Sequence, residues 1–172
     1  MTSAVLVVLG GLPGTGKSTV ARPLARALGA AYLRIDTIEQ ALVDSGELPA
    51  RPRAAGYVAG YALARDQLAN GVCVVAECVN PLAITRDAWR AVGDRVLEVE
   101  LVCSDPVEHR ARVEGRAGDI PGLELPTWRD VVEREYEPWD RDHLVVDTAA
   151  VTAAGCVELI LRYVGRLPAN RP

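Results

Sequence analysis

The chain has 172 residues and a mass of 18.4 kDa, a size that fits one ordinary domain. Hydrophobic residues make up 49% and charged residues 24%, so the chain can bury a core and is not expected to be disordered. The formal net charge of −4 argues against nucleic-acid and membrane-surface binders, which usually carry a basic excess. Among the basic residues a single one, Lys17, is a lysine, and all others are arginines.

The cysteines and histidines predict no metal site. The cysteines are Cys73, Cys78, Cys103 and Cys156, and the histidines are His109 and His143. No CxxC pair or other metal-ligand spacing occurs, so reduced thiols are expected. Reduced thiols are typical of the cytoplasm, and no run approaches the roughly 18 apolar residues of a membrane span. The N-terminal apolar run has no basic segment before it and no cleavage site. We therefore expect a cytoplasmic protein that does not bind membranes.

The predicted elements alternate between strands and helices along the chain. Ala4–Leu9 is a continuous apolar run that predicts a strand buried on both faces. A glycine-rich loop follows over 10–16, and helical spacing over 18–28 ends at Gly29. Further strands are predicted over 31–35, 72–76, 95–103 and 143–146, and further helices over 37–45, 53–70, 82–92, 106–116, 128–137 and 151–164. This alternation predicts one α/β domain over residues 1–172, with a parallel sheet and helices on both faces.

One segment between the later elements is predicted to be a mobile lid. Residues 115–126 contain three glycines and two prolines, a composition typical of a surface loop. Arg110, Arg112 and Arg116 lie just before it and at its edge, and Arg112 and Arg116 are four residues apart on one helix face. Closing the lid would place their guanidinium groups over a transferring phosphoryl group, although a solvated basic helix face explains them too.

Residues 11–18 read Gly-Leu-Pro-Gly-Thr-Gly-Lys-Ser and fit the phosphate-loop pattern G-x-x-x-x-G-K-[ST] in full. The loop follows a buried strand and opens a helix, which is the context that the motif requires. The residues predicted to bind the nucleotide are Gly11, Pro13, Gly14, Thr15, Gly16, Lys17, Ser18 and Thr19. Lys17 would reach the β- and γ-phosphates, and the Ser18 hydroxyl would bind Mg²⁺. A lysine here, in a chain that otherwise uses arginine, agrees with a pocket that accepts a slim ammonium group.

Two carboxylates are predicted beside the phosphate loop. Asp36 follows the second strand, where it could accept the proton of an acceptor hydroxyl, and capping of the next helix is the alternative. Glu77 ends the apolar run 72–77 and could help to hold Mg²⁺ or position water, and an exposed strand end is the alternative. Such groups at the carboxyl edge of the sheet favour a kinase.

These residues carry a resemblance to a known family. The run LVVLGGLPGTGKSTVARPLARAL, then Asp36-Thr37, VCVVAE and ELVCSDPVEHRARVEGR resemble the small P-loop kinases of the nucleoside-monophosphate-kinase-like fold. Among these, the chain resembles the chloramphenicol phosphotransferase-like or predicted AAA-type kinases, a group that is also similar to the kinase domain of polynucleotide kinase. The resemblance covers nearly the whole chain. It implies a five-stranded sheet of order 2-3-1-4-5, Asp36 as general base and Arg112 and Arg116 as lid residues. Glu77 stands where these kinases usually have an aspartate.

The acceptor site is expected between Asp36 and Tyr61. Its candidate residues are Glu39, Arg53, Tyr57 and Tyr61. The two tyrosines are four residues apart and could flank an aromatic or sugar-like acceptor, and ordinary helix packing explains them equally well. The acceptor side is therefore much less defined by the sequence than the donor side.

The sequence thus supports an ATP- and Mg²⁺-dependent kinase acting on a hydroxyl of a small molecule, such as an antibiotic, a nucleoside or a sugar. One alternative is a polynucleotide 5′-hydroxyl kinase, against which the acidic balance counts. Another is a nucleotide-binding regulatory module or slow NTPase without a phosphorylated acceptor. The acceptor, the choice between ATP and GTP and the oligomeric state stay open.

Overall fold

The computed structural model describes residues 4–47 and 54–168, and its strands form one parallel sheet. The strands are Leu6–Gly10 (β1), Ala31–Arg34 (β2), Val74–Glu77 (β3), Val96–Val102 (β4) and Leu144–Asp147 (β5). Their order is β2-β3-β1-β4-β5, which confirms the predicted order 2-3-1-4-5. Because all strands are parallel, their carboxyl ends lie at one edge of the sheet, where ligands bind in folds of this kind.

Strand β1 lies at the centre of the sheet and is buried along its whole length. It pairs with β3 on one side and β4 on the other, with Leu6 opposite both Val74 and Val96. Since side chains alternate along a strand, β1 contributes to two cores. Val7 and Leu9 belong to one core, and Leu6 and Val8 belong to the other.

Helices cover both faces of this sheet, as predicted. They are Lys17–Leu28 (α1), Ile35–Asp44 (α2), Ala55–Ala69 (α3), Ala83–Arg90 (α4), Pro106–Gly115 (α5), Trp128–Val132 (α6) and Ala153–Val164 (α7). On one face α1 and α7 pack against the sheet through Leu24 and Ile160. On the other face α3 and α4 do so through Ala64 and Trp89. The result is a three-layer α/β fold.

The helix predicted over 128–137 is much shorter in the structure and ends at Val132. The chain beyond it is held by buried Arg86, which donates hydrogen bonds to the carbonyls of Glu137 at 2.7 Å and Pro138 at 3.0 Å. The Glu137 amide also donates to the Pro81 carbonyl at 2.8 Å. These contacts between distant parts of the chain replace the helical hydrogen bonds that the local sequence favours, and Pro138 disfavours a helical residue before it.

The cysteines are unpaired, as expected. Cys78 and Cys156 are buried, and Cys73 and Cys103 are partly exposed. Burial raises the pKa of Cys78 to about 12, so that it stays a neutral thiol. Among the described residues no helix has both the length and the apolar character that crossing a membrane requires.

Candidate active site

The phosphate loop joins the end of β1 to the start of α1. Lys17 begins the helix, and its side chain turns back into the loop, where Nζ donates hydrogen bonds to the carbonyls of Gly11 at 2.7 Å and Leu12 at 2.8 Å. Thr15 is buried, and its hydroxyl donates to the Leu12 carbonyl at 2.9 Å. The helix N-terminus and this loop together form a concave surface suited to phosphate oxygens.

Lys17 is buried with carboxylates nearby. Burial lowers the pKa of Lys17 to about 8, against the opposing effect of Glu77 and Asp36. A phosphate group placed in the loop would favour the charged ammonium and raise this pKa again. Protonation of Lys17 is therefore linked to the binding of an anion.

Nucleotide binding is expected to take up protons at pH 8. Because Lys17 is about half protonated when the pH equals its pKa, uptake approaches roughly half a proton per nucleotide near pH 8 and decreases as the pH is lowered. The affinity for nucleotide decreases as the pH rises above this value. Calorimetric titrations in buffers of different ionisation enthalpy measure the uptake. An uptake at pH 8 no larger than that at pH 7 would contradict a lowered pKa for Lys17.

Three residues distant in sequence support the loop from behind. His109, from α5, is buried, and its Nε2 lies 2.8 Å from the carbonyl oxygen of Pro13, so that Nε2 is the donor. Thr148 follows β5, and its hydroxyl donates to the Thr15 carbonyl at 2.9 Å. Arg112 in turn donates to the Thr148 hydroxyl at 2.8 Å. The loop is thus held by elements from the second half of the chain.

Gly14 has no room for a side chain, and the chain offers a matched control. Gly14 has φ of +83°, and a Cβ there would lie 2.5 Å from Cγ2 of Val113 and 3.3 Å from Cδ2 of His109. Gly71 has a similar φ of +79° with nothing within 4 Å. Gly71→Ala is expected to lower the free energy of unfolding by about 1–2 kcal/mol, through backbone strain alone. Gly14→Ala is expected to lower the free energy of unfolding by about 1–3 kcal/mol more, because the added methyl group overpacks the site, and to weaken nucleotide binding. Chemical unfolding and nucleotide titration of both variants measure the difference, and equal effects would contradict it.

Glu77 and Ser18 lie together at the mouth of the loop. The Ser18 hydroxyl donates to Oε1 of Glu77 at 2.5 Å, and the Tyr32 hydroxyl donates to Oε2. Glu77 is buried, so it is not the exposed strand end that the sequence left open. No group of three or more His, Cys, Asp or Glu side chains suited to a metal occurs in residues 4–47 and 54–168. One carboxylate and one hydroxyl nonetheless fit Mg²⁺, which keeps several waters and is otherwise bound by substrate phosphates.

Asp36 lies in the first turn of α2, not at the end of a strand. The helix begins at Ile35, with Arg34 as its N-cap residue, so Asp36 does not cap it. Its carboxylate is half-buried, and its negative charge acts on both Lys17 and Arg116. Burial lowers the pKa of Arg116, and the charge of Asp36 opposes this shift. Nε of Arg116 is buried without a hydrogen-bond partner. Asp36 is thus placed between the phosphate loop and the base of the predicted lid segment, residues 115–126.

The lid segment is held against α1 and β2 by one carboxylate. Asp119 accepts two hydrogen bonds from Nη1 of Arg34, at 2.9 and 2.8 Å, and one from Arg22. Hydrogen bonds to Arg34 and Arg22 hold the pKa of Asp119 below its usual range. Nε of Arg34 also lies 3.7 Å from Oε1 of Glu77. The candidate metal-binding carboxylate and the lid segment therefore share one arginine, a link that sequence reasoning missed.

The predicted acceptor residues that the structure describes come together beyond Asp36. Glu39 lies on α2, and Tyr57 and Tyr61 lie on α3, with their ring centroids 6.2 Å apart. Tyr61 also packs edge-on against buried Trp89 at 4.7 Å. The tyrosines thus serve in helix packing as well as facing the cavity. Arg53 lies outside the described residues.

One cavity of about 2250 Å³ connects these groups. Of the predicted phosphate-binding residues it is lined by Pro13, Gly14, Gly16, Lys17, Ser18 and Thr19, and of the other candidates by Asp36, Glu39, Tyr57, Tyr61, Glu77, Arg112 and Arg116. Sites for a single small ligand usually measure about 300–1,000 Å³. The cavity therefore has room for a nucleotide and a second molecule side by side.

Comparison with known protein families shows which family the chain belongs to. Residues 6–134 match the AAA domain family (AAA_33). The chain belongs to this family. Curated relatives of this AAA domain include the uncharacterized protein Rv2004c of Mycobacterium tuberculosis, which is 32% identical over 167 residues covering 84% of this chain and 32% of the relative. This AAA domain thus spans about a third of the length of the curated relatives it matches.

Solved structures share its fold over nearly the whole chain. The crystal structure of APE1195 is 26% identical, has a TM-score of 0.70 and covers 96% of both chains. The APS kinase CysC of Mycobacterium tuberculosis, solved with AMPPNP and APS, is 21% identical, with a TM-score of 0.73 and coverage of 96% of this chain and 99% of that one. A sugar kinase of Janibacter sp. HTCC2649 is 18% identical, with a TM-score of 0.73 and coverage of 94% and 95%. The AAA domain therefore has the fold of small P-loop kinases.

Proposed function

We propose that this AAA domain is an ATP- and Mg²⁺-dependent kinase that phosphorylates a hydroxyl group of a small molecule. The observation that carries the proposal is the shared cavity, in which the phosphate loop and Asp36 face the same space. An NTPase without an acceptor has no need of the additional room beyond Asp36. The similarity to a sugar kinase and an APS kinase agrees with a kinase, and the kinship to the chloramphenicol phosphotransferase-like group is part of the same proposal.

The donor end would hold the phosphates of ATP. Backbone amides of the phosphate loop and the Lys17 ammonium would bind the β- and γ-phosphates, and Ser18 and Glu77 would hold Mg²⁺ with its waters. When bound, Mg²⁺ offsets the negative charge of the phosphates. In this proposal, these side chains only have to hold the nucleotide so that its γ-phosphate faces Asp36.

Asp36 would orient the acceptor hydroxyl and accept its proton, since a positioned carboxylate is the usual group for this task in kinases. Arg112 and Arg116 would stabilise the charge on the transferring group. Arg112 is already oriented by Thr148 and by an ion pair with Glu108 at 2.5 Å. Arg110, in contrast, is exposed and pairs with Glu114 at 2.9 Å, so it has no role in this proposal. We also propose that residues 115–126 move as a lid, excluding water from the reaction.

The direct test is transfer of labelled γ-phosphate from ATP in the presence of Mg²⁺. The acceptors are an antibiotic panel, nucleosides, sugars and a 5′-hydroxyl oligonucleotide. Labelling of a small alcohol supports the proposal. Labelling of the oligonucleotide alone would favour a polynucleotide kinase, and nucleotide hydrolysis that no acceptor stimulates would favour a slow NTPase.

A further inference from the structure

Arg34 lies between two carboxylates, and the sheet places it beside one of them. Arg34 and Glu77 are the last residues of β2 and β3 and lie opposite each other in the parallel register. Because side chains alternate along each strand, residues paired in this way extend from the same face of the sheet. The backbone of the sheet therefore keeps the Arg34 side chain beside Glu77.

Arg34 nevertheless donates to Asp119 of the lid segment rather than to Glu77. Its Nη1 makes hydrogen bonds of 2.9 and 2.8 Å to the two carboxylate oxygens of Asp119. Its Nε lies 3.7 Å from Oε1 of Glu77, beyond hydrogen-bond distance, and is buried without a hydrogen-bond partner. The Arg34 side chain is only 12% exposed, so water competes little with either carboxylate for the guanidinium group.

The two oxygens of Glu77 accept hydrogen bonds from neutral hydroxyl groups. Ser18 donates to Oε1 at 2.5 Å, and Tyr32 donates to Oε2. A hydroxyl group can turn and offer its oxygen to a cation, whereas a guanidinium group has no acceptor atom and repels a cation. Glu77 thus stays available to Mg²⁺ as long as Arg34 donates its hydrogen bonds elsewhere.

We propose that Asp119 is a positioning residue of the Mg²⁺ site, because by binding Arg34 it keeps the guanidinium group from pairing with Glu77. The proposal rests on the Mg²⁺ site of the proposed function. Without the Asp119 carboxylate, Arg34 pairs with Glu77 and competes with the metal for it. Arg22 also donates to Asp119, but its side chain is 47% exposed, so water replaces this contact when it is lost. The lid segment thereby contributes to metal binding through Arg34 and Glu77.

The first experiment measures how much Mg²⁺ strengthens nucleotide binding, apart from any reaction. The affinity for AMP-PNP is determined by equilibrium titration in excess Mg²⁺ and again in EDTA, and the ratio of the two affinities is the magnesium enhancement. Asp119→Asn is expected to lower this ratio about tenfold, an ordinary coupling between two sites, without weakening the binding in EDTA. An unchanged ratio, or equal losses in Mg²⁺ and in EDTA, would overturn the proposal.

Two further variants test whether the charge of Asp119 is what matters. Asp119→Glu keeps the carboxylate and is expected to retain most of the magnesium enhancement. Glu133→Gln removes one negative charge from the lining of the same cavity, but Glu133 pairs with Arg129, at 2.8 Å, rather than with Arg34. It should keep the enhancement of the unmodified domain. A loss as large as that in Asp119→Asn would indicate a general effect of charge and overturn the proposal.

A double-mutant cycle tests whether Asp119 acts through Arg34. In the background of Arg34→Gln no guanidinium group can pair with Glu77, so adding Asp119→Asn is expected to change the enhancement less than about twofold. The same loss in both backgrounds would overturn the proposal. Chemical unfolding checks that each variant folds, and if Arg34→Gln does not, the contrast between Asp119→Asn and Asp119→Glu decides.

The outcomes also distinguish this role of Asp119 from the proposed function. Absence of any enhancement in the unmodified domain would overturn the Mg²⁺ site and the role of Asp119 together. An enhancement that Asp119→Asn leaves unchanged would overturn the role of Asp119 alone. If the enhancement depends on Asp119 but no acceptor is phosphorylated, the kinase proposal fails while the role of Asp119 stands.

Discussion

Replacement of Asp36 by asparagine is expected to lower kcat by about 10²- to 10⁴-fold, the usual contribution of a positioned general base. Asparagine has nearly the size and shape of aspartate, but it cannot accept the proton of the acceptor hydroxyl. Nucleotide binding should persist, because the phosphate contacts are made by the loop and Lys17. Steady-state transfer rates together with nucleotide titration measure both effects.

The matched control is Asp66→Asn, the same change at an exposed position on α3 that does not line the cavity. It should leave both transfer and nucleotide binding unchanged. A variant Asp36→Asn that transfers phosphate at the rate of the unmodified domain would remove Asp36 from the mechanism. A loss of nucleotide binding equal to the loss of transfer would mean that Asp36 acts on the donor side.

Substitution of Lys17 by arginine is expected to abolish most nucleotide binding, although charge is conserved. Nζ of Lys17 is buried within 2.8 Å of two loop carbonyls, and a planar guanidinium does not fit where the slim ammonium lies. Loss of a charged hydrogen bond worth about 1.5–3 kcal/mol weakens binding roughly 10- to 100-fold. Equilibrium titration with AMP-PNP and Mg²⁺ at pH 7 measures the loss.

The control is the reverse substitution, arginine to lysine, at a position on the protein surface. Arg65→Lys, at an exposed position on α3, should bind nucleotide with unchanged affinity, since it alters neither the cavity nor the loop. Chemical unfolding of Lys17→Arg distinguishes a local effect from a loss of fold. Retention of full nucleotide affinity by Lys17→Arg would show that the position requires a positive charge but not a lysine.

Much of the fold was predictable because its signals are local. The buried strand β1, the glycines of the phosphate loop and the helix that begins at Lys17 are adjacent in sequence, and the motif specifies their conformation. The alternation of strands and helices predicted a parallel sheet, and the resemblance to small P-loop kinases supplied its order. The candidate site was predicted on the same ground, since residues at the carboxyl ends of parallel strands lie at one edge.

Local signals were insufficient where distant residues decide the conformation. The helix predicted to continue to 137 ends at Val132, because buried Arg86 donates to carbonyls of the following segment. The start of α2 was also predicted two residues too late, since the helix begins at Ile35 and carries Asp36 in its first turn. In both cases the sequence predicts the element but not its exact boundary.

The residues that sequence reasoning missed are not marked by a sequence motif. The sequence analysis assigned no role to His109, which donates a hydrogen bond to the Pro13 carbonyl of the phosphate loop. Thr148 follows β5 as Asp36 follows β2, and its place at a carboxyl end of a strand was the one signal that could have identified it. Nothing in the local pattern marks Arg34 and Asp119, whose contact joins residues 85 positions apart.

Lys17, the single lysine, shows which properties follow from the sequence and which follow from the tertiary structure. The sequence by itself determined that Lys17 lies in a phosphate loop, because eight consecutive residues carry that signal. Only the tertiary structure decided its electrostatics, because burial and the nearby carboxylates Glu77 and Asp36 together set its pKa. The proposed acceptor end likewise depends on α2, α3 and α4 lining one cavity, since side chains far apart in the chain have no common pattern until the helices pack.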